Sequence, residues 1–118
     1  METGAHAEGQ STEAAGEGAH AEGYNTRVGT IQVTRDANNA IVSVTVTASV
    51  KGGHAEGIDT YVSGDGAHAE GMGSGTTYGA QAQAAHSEGK YTLASGTASH
   101  AEGSYTKATA GYSHAEGY

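Results

Sequence analysis

Residues 99–117 read Ser99-His100-Ala101-Glu102-Gly103-Ser104-Tyr105-Thr106-Lys107-Ala108-Thr109-Ala110-Gly111-Tyr112-Ser113-His114-Ala115-Glu116-Gly117, two His-Ala-Glu-Gly tetrads 14 residues apart. Working outward, the same tetrad begins at His6, His20, His54 and His68, and a variant, His-Ser-Glu-Gly, begins at His86. Every histidine of the chain belongs to one of these seven tetrads. The spacings along the chain are 14, 34, 14, 18, 14 and 14, so a 14-residue unit repeats with two insertions, of 20 and 4 residues. A fixed period of this kind is the signature of a repeat architecture.

Between tetrads a second motif recurs as Thr12-Glu13-Ala14-Ala15-Gly16, Thr60-Tyr61-Val62-Ser63-Gly64, Thr92-Leu93-Ala94-Ser95-Gly96 and Thr106-Lys107-Ala108-Thr109-Ala110. Both stretches alternate small with variable residues, the period of a β-strand. The alternation predicts Thr92, Ala94 and Gly96 facing inward in one stretch and Ser99, Ala101 and Gly103 in the other, with His100 and Glu102 facing outward. Two short strands and two turns per 14 residues make one coil of a parallel β-solenoid. Its coils stack at the ~4.8 Å strand spacing, so like residues superimpose. Glycines at the strand ends are expected to supply the positive-φ turn conformations.

This reading resolves an odd composition. Leu, Ile, Val and Phe number 11 of 118, Gly numbers 20, and the net charge is −8. By composition alone such a chain is classed as disordered. Disorder, however, does not require His, Glu, Gly and the small residues to stay in phase. Stacked coils need no large side chains, because backbone ladders satisfy the polar groups and small residues let the two sheets approach. Glycine at this frequency argues against a helical repeat. The expected fold is therefore all-β, a single solenoid domain over residues 1–118.

The composition also excludes functions. With no Cys there are no disulfides, zinc fingers or thiol nucleophiles. No apolar run reaches the ~18 residues of a membrane span, and the first twenty residues lack the pattern of a secretory signal. With 5 basic against 13 acidic residues, nucleic-acid phosphates are disfavoured as partners.

Ser99-His100-Ala101-Glu102-Gly103, Thr106-Lys107-Ala108 and Ser113-His114-Ala115-Glu116-Gly117 together resemble the 14-residue head repeats of trimeric autotransporter adhesins. The closest likeness is to the His-Ala-Glu-Gly version of bacteriophage tail-fibre and tailspike proteins and of some bacterial surface proteins. The resemblance covers 98 of 118 residues, all but the 20-residue insertion. It implies a left-handed parallel β-roll, a homotrimer, and a role as a rigid fibre segment or binding head rather than an enzyme. No heptad stalk, neck or membrane anchor accompanies the repeats, so a complete autotransporter is not expected. With no signal peptide either, the expected source is a phage particle, an excised fragment or a subunit exported by another route, and the expected setting a virion or an extracellular or cell surface.

The larger insertion spans residues 30–49. Ile31, Val33, Ile41, Val42, Val44, Val46 and Val50 are 7 of the 11 large aliphatics. Alternation on both sides of Asp36-Ala37-Asn38-Asn39 predicts a β-hairpin. These seven residues are the candidate subunit interface, since an uncovered valine strand is an aggregation site. A cap over an open end of the roll and a receptor-binding loop are the other two readings. The smaller insertion, over residues 72–78, reads as a Gly-rich surface loop.

Stacked tetrads superimpose His on His and Glu on Glu. The reading favoured by the residues is a hydrogen-bonded ladder with no cofactor. A divalent metal bridging neighbouring coils would draw on His54, Glu56, His68, Glu70, His100, Glu102, His114 and Glu116, and a pH-sensitive assembly is the third reading. His-x-Glu also occurs in zinc deaminases, but their Pro-Cys-x-x-Cys segment is absent. Seven equivalent histidines single out no catalytic set, so no enzymatic activity is expected. Tyr24, Tyr91, Tyr105, Tyr112 and Tyr118 fall at outward positions near the turns, where they would contact a partner chain or stack on a host glycan. The expected partner is the chain itself, as a homotrimer or, through open sheet edges at both ends, an end-to-end fibre. Recognition of a host surface glycan or protein is the alternative.

Overall fold

The computed structural model of the chain describes residues 4–73 and 77–118; for Ile31, Val33 and residues 41–48 it describes the backbone alone. Every tetrad opens a strand. Numbered in chain order, these are His6–Gln10 (β1), His20–Tyr24 (β3), His54–Ile58 (β7), His68–Met72 (β9), His86–Lys90 (β11), His100–Ser104 (β13) and His114–Ala115 (β15). The second motif yields strands of only two residues: Glu13–Ala14 (β2), Arg27–Val28 (β4), Tyr61–Val62 (β8), Gly79–Ala80 (β10), Leu93–Ala94 (β12) and Lys107–Ala108 (β14). The two sets form two parallel sheets, seven-stranded and six-stranded, and no helix occurs among the described residues. The result is a parallel β-solenoid of about seven turns, within extents of 48 × 22 × 20 Å.

The register is that of like on like. His20 pairs with His6 and His54, Glu22 with Glu8 and Glu56, and the insertion between Val28 and His54 does not shift it. Between the sheets runs a narrow core of columns: Ala21, Ala55, Ala69, Ser87 and Ala101 on one side, Ala14, Val28, Val62, Ala80, Ala94 and Ala108 on the other. Thr26, Thr60, Thr92 and Thr106 are buried beside them. An alanine methyl contributes about 0.8 kcal/mol on burial against about 1.5–3 for a valine. The interior is therefore weak for its length, and the inter-coil backbone ladders, at about 0.5–1.5 kcal/mol net per bond, are the larger contribution.

Thr92, Ala94, Gly96, Ser99 and Ala101 face inward as the alternation predicts, but Gly103 lies at the surface. The tetrad glycine has φ between 103° and 116° within its strand, so the alternation breaks there. A Cβ at Gly71 would lie 2.2 Å from the carbonyl oxygen of Gly89 in the next coil. The glycine is thus required inside the strand by close stacking. The turn that follows is left-handed at Asn25, Asp59, Tyr91 and Tyr105, with φ between 55° and 61°. Glycine does not make this turn, but it makes the other one in the early coils, at Gly18, Gly52 and Gly66 with φ between 61° and 67°, so the expectation holds there alone.

Both insertions leave the roll at turns. Thr30–Arg35 (β5) and Ile41–Ala48 (β6) pair antiparallel as a separate two-stranded sheet, with Ile31 across from Val46 and Val33 across from Val44. The Asp36 carboxylate closes the hairpin turn by accepting bonds from the Asn38 and Ala40 amides at 2.8 and 3.0 Å. Of the seven aliphatics grouped as a subunit interface, the side chains of Ile31, Val33, Ile41, Val42, Val44 and Val46 lie outside the described residues. Val50 corrects the grouping: it follows β6, is 2% exposed, and lies inside the roll. Its amide bonds to the Ala15 carbonyl of the first coil at 2.8 Å. The space it needs exists because residue 53, Ala or Ser in most coils, is here Gly. A Cβ on Gly53 would sit 2.7–3.0 Å from methyls of Val28, Val50 and Val62. In the second insertion Met72 belongs to β9, paired with Ile58 and Lys90, so the extra residues follow Gly73. Residues 74–76 lie outside the described ones.

Candidate functional site: a histidine and glutamate ladder

The seven-stranded sheet turns its histidines and glutamates outward because the residues between them, Ala or Ser, fill the inward position. Stacking then sets the imidazoles in one file. Ring centroids are 4.6–4.9 Å apart from His20 to His114, with interplanar angles of 15° or less. His6 at the N-terminal coil stands apart, its ring at 73° to that of His20. All of the sequence-proposed ladder residues, His54, Glu56, His68, Glu70, His100, Glu102, His114 and Glu116, lie in these two files, together with His86 and Glu88.

Within each rung the imidazole Nε2 faces the carboxylate Oε2 two residues on. The separation is 3.2, 3.1 and 3.2 Å at His6, His20 and His54, and these three pairs are hydrogen-bonded. From His68 onward it widens to 3.4, 3.3, 3.5 and 3.8 Å. At His68, His86 and His100 the Nε2 atom is shielded from solvent and has no hydrogen-bond partner. The His–Glu contact thus loosens along the axis, from 3.1–3.2 Å in the early coils to 3.3–3.8 Å in the later ones. Burial of the His68 ring holds its pKa below the usual 6.5, and the neighbouring His54 and His86 push in the same direction against the opposing pull of Glu70 and Glu56.

Two three-residue groups bring their ligand atoms within 4.8 Å of one another: His86, Glu88 and His100, and His100, Glu102 and His114. The sequence reading named every member of the second group, but only His100 of the first; His86 and Glu88 were not singled out, because the tetrads are nearly identical letter for letter. The Ser87 variant is the one visible mark. Its buried hydroxyl donates to the Thr92 carbonyl at 3.0 Å and lies 2.7 Å from the Thr92 hydroxyl.

On the opposite edge of the longer strands, Tyr78, Tyr91, Tyr105 and Tyr118 form a second file, with centroids 5.1–6.1 Å apart. The rings lean on one another at 48–73°, and the Lys90 ammonium lies 5.4 Å from the centre of Tyr91. Tyr24, Tyr105, Tyr112 and Tyr118 are exposed, as expected for outward positions.

Fold and surface together define a solenoid repeat module, a short rod whose polar side chains recur coil after coil. Comparison with protein-family models, with curated proteins and with solved structures finds no match to this chain.

Proposed function

We propose that the chain is a non-enzymatic, self-associating segment of a fibre. The observation that carries this reading is the hairpin. β5 and β6 pair with each other and with neither sheet of the roll, and a lone two-stranded hairpin is marginal in water. It also holds six of the chain's large aliphatics by sequence, Ile31, Val33, Ile41, Val42, Val44 and Val46. A second copy is the partner that covers it, either within a homotrimer or along a filament. The recurrence of the same histidine and glutamate in every coil suits a repeating structural role. The phage tail-fibre or bacterial-surface setting rests on the resemblance of the tetrads, and the net charge of −8 disfavours nucleic acid and anionic membranes as partners.

Native mass measurement together with negative-stain microscopy tests the reading. Trimers or filaments are the expected result; a protein that stays monomeric at high concentration overturns it. The exposed tyrosines support a second reading, a receptor-binding head. A glycan array that yields a ligand dependent on Tyr105 and Tyr112 distinguishes the two.

A further inference from the structure

The later half of the ladder carries a proposal of its own, independent of assembly. We propose that His86, Glu88 and His100 form a binding site for one borderline divalent transition-metal ion, of the zinc, nickel or copper class. Imidazole and carboxylate together suit such ions, whereas calcium and magnesium are bound through oxygen ligands.

The geometry supports this at two levels. Within the rung, His86 Nε2 and Glu88 Oε2 are 3.3 Å apart. Zinc binds nitrogen and oxygen at about 2.0–2.2 Å, so two ligand atoms on one ion lie roughly 3.0–3.5 Å from each other. The rung is therefore already set at the bite of a chelate. The third ligand atom, a ring nitrogen of His100 from the next coil, lies within 4.8 Å of the ligand atoms of both. Closing that gap by roughly 1 Å brings it to ligand distance. A turn of the His100 ring about its Cβ–Cγ bond supplies the movement, and also aims a lone pair that otherwise runs parallel to that of His86. A fourth position remains for solvent.

The second level is the state of the donor atoms. Nε2 of His86 and Nε2 of His100 are both shielded from solvent without a hydrogen-bond partner. Buried polar atoms are normally satisfied, and a cation between the imidazoles and the carboxylate satisfies both. In the early coils the His20 and His54 rings spend the same atom on a hydrogen bond to their own glutamate. Among the described residues no early rung brings three ligand atoms this close together. His100 also belongs to the alternative group with Glu102 and His114. One ring nitrogen serves one ion, so, through a shared His100 nitrogen, only one of the two groups is occupied at a time.

The test is titration of the intact, metal-free chain with zinc by calorimetry, beside His100→Ala, which removes the shared ligand, and Glu88→Gln, which keeps the shape and removes the charge. His20→Ala is the control, and circular dichroism checks that each variant keeps its strand signal. The expected result is one saturable zinc site that magnesium does not compete for. Its affinity should fall tenfold or more in Glu88→Gln, vanish in His100→Ala and survive in His20→Ala. Absence of saturable binding, or binding that both Glu88→Gln and His100→Ala retain, overturns the proposal.

Discussion

At the scale of single residues, the fold depends on where a Cβ is forbidden and where a hydroxyl has a partner. Gly71→Ala drives a methyl into the backbone of the next coil at a φ of 107°, and should cost well above the ~1–3 kcal/mol of ordinary backbone strain. Gly66→Ala is the contrast. Its φ is 65° with open space around it, and Ala84 and Ala98 occupy the same turn position in later coils. That substitution should cost no more than about 1–2 kcal/mol, so the two melting curves should separate clearly. Ser87 makes a second residue-level comparison. Thr92 is bonded to it, while Thr26 and Thr60, which face Ala21 and Ala55 in equivalent coils, leave their hydroxyls unpartnered. Ser87→Ala should therefore destabilise by about 1–3 kcal/mol, and Ala55→Ser should stabilise by about 0.5–1.5. Chemical denaturation reads both. Equal midpoints for all three proteins would dissociate the hydroxyl pair from stability.

At the scale of the element, the coil was legible in the sequence and its exceptions were not. Fourteen-residue spacing and the alternation of Thr92-Leu93-Ala94-Ser95-Gly96 give the inward set directly, because a strand has only two faces. Val50 escaped because its number keeps the parity of Val42, Val44 and Val46; nothing in the alternation marks the point where hairpin ends and roll resumes. The left-handed tyrosines at 91 and 105 escaped because a bulky residue with positive φ runs against propensity, and only the tight stacking of the coils imposes it. The lengthening of the His–Glu separations had no sequence signal at all. The valine cluster makes an element-level prediction. Gly53→Ala overfills the space among Val28, Val50 and Val62 and should destabilise by about 1–3 kcal/mol. Val50→Ala should relieve that crowding, so the double variant should be more stable than the sum of the single losses. A double-mutant cycle measures the coupling, and strict additivity would show that the cluster does not share one space.

At the scale of the whole molecule, the hairpin and the roll are separable in their consequences. Replacing Val44 and Val46 together by Asp should abolish assembly in light scattering while the strand signal in circular dichroism persists. Normal assembly of that double variant would remove the hairpin from the proposed interface. The roll raises a different matter. Because each coil offers its neighbour the same rungs, a folding chain could seat a strand one frame out, fourteen residues from its proper mate, at little local penalty. What distinguishes one frame from another is the small set of departures from the repeat. Three valines closing over Gly53, and a serine meeting Thr92, each find their counterparts in a single alignment. The irregular coils thereby act as index marks on an otherwise unmarked scale, and a version of this chain rebuilt from seven perfect copies would have lost the means to count.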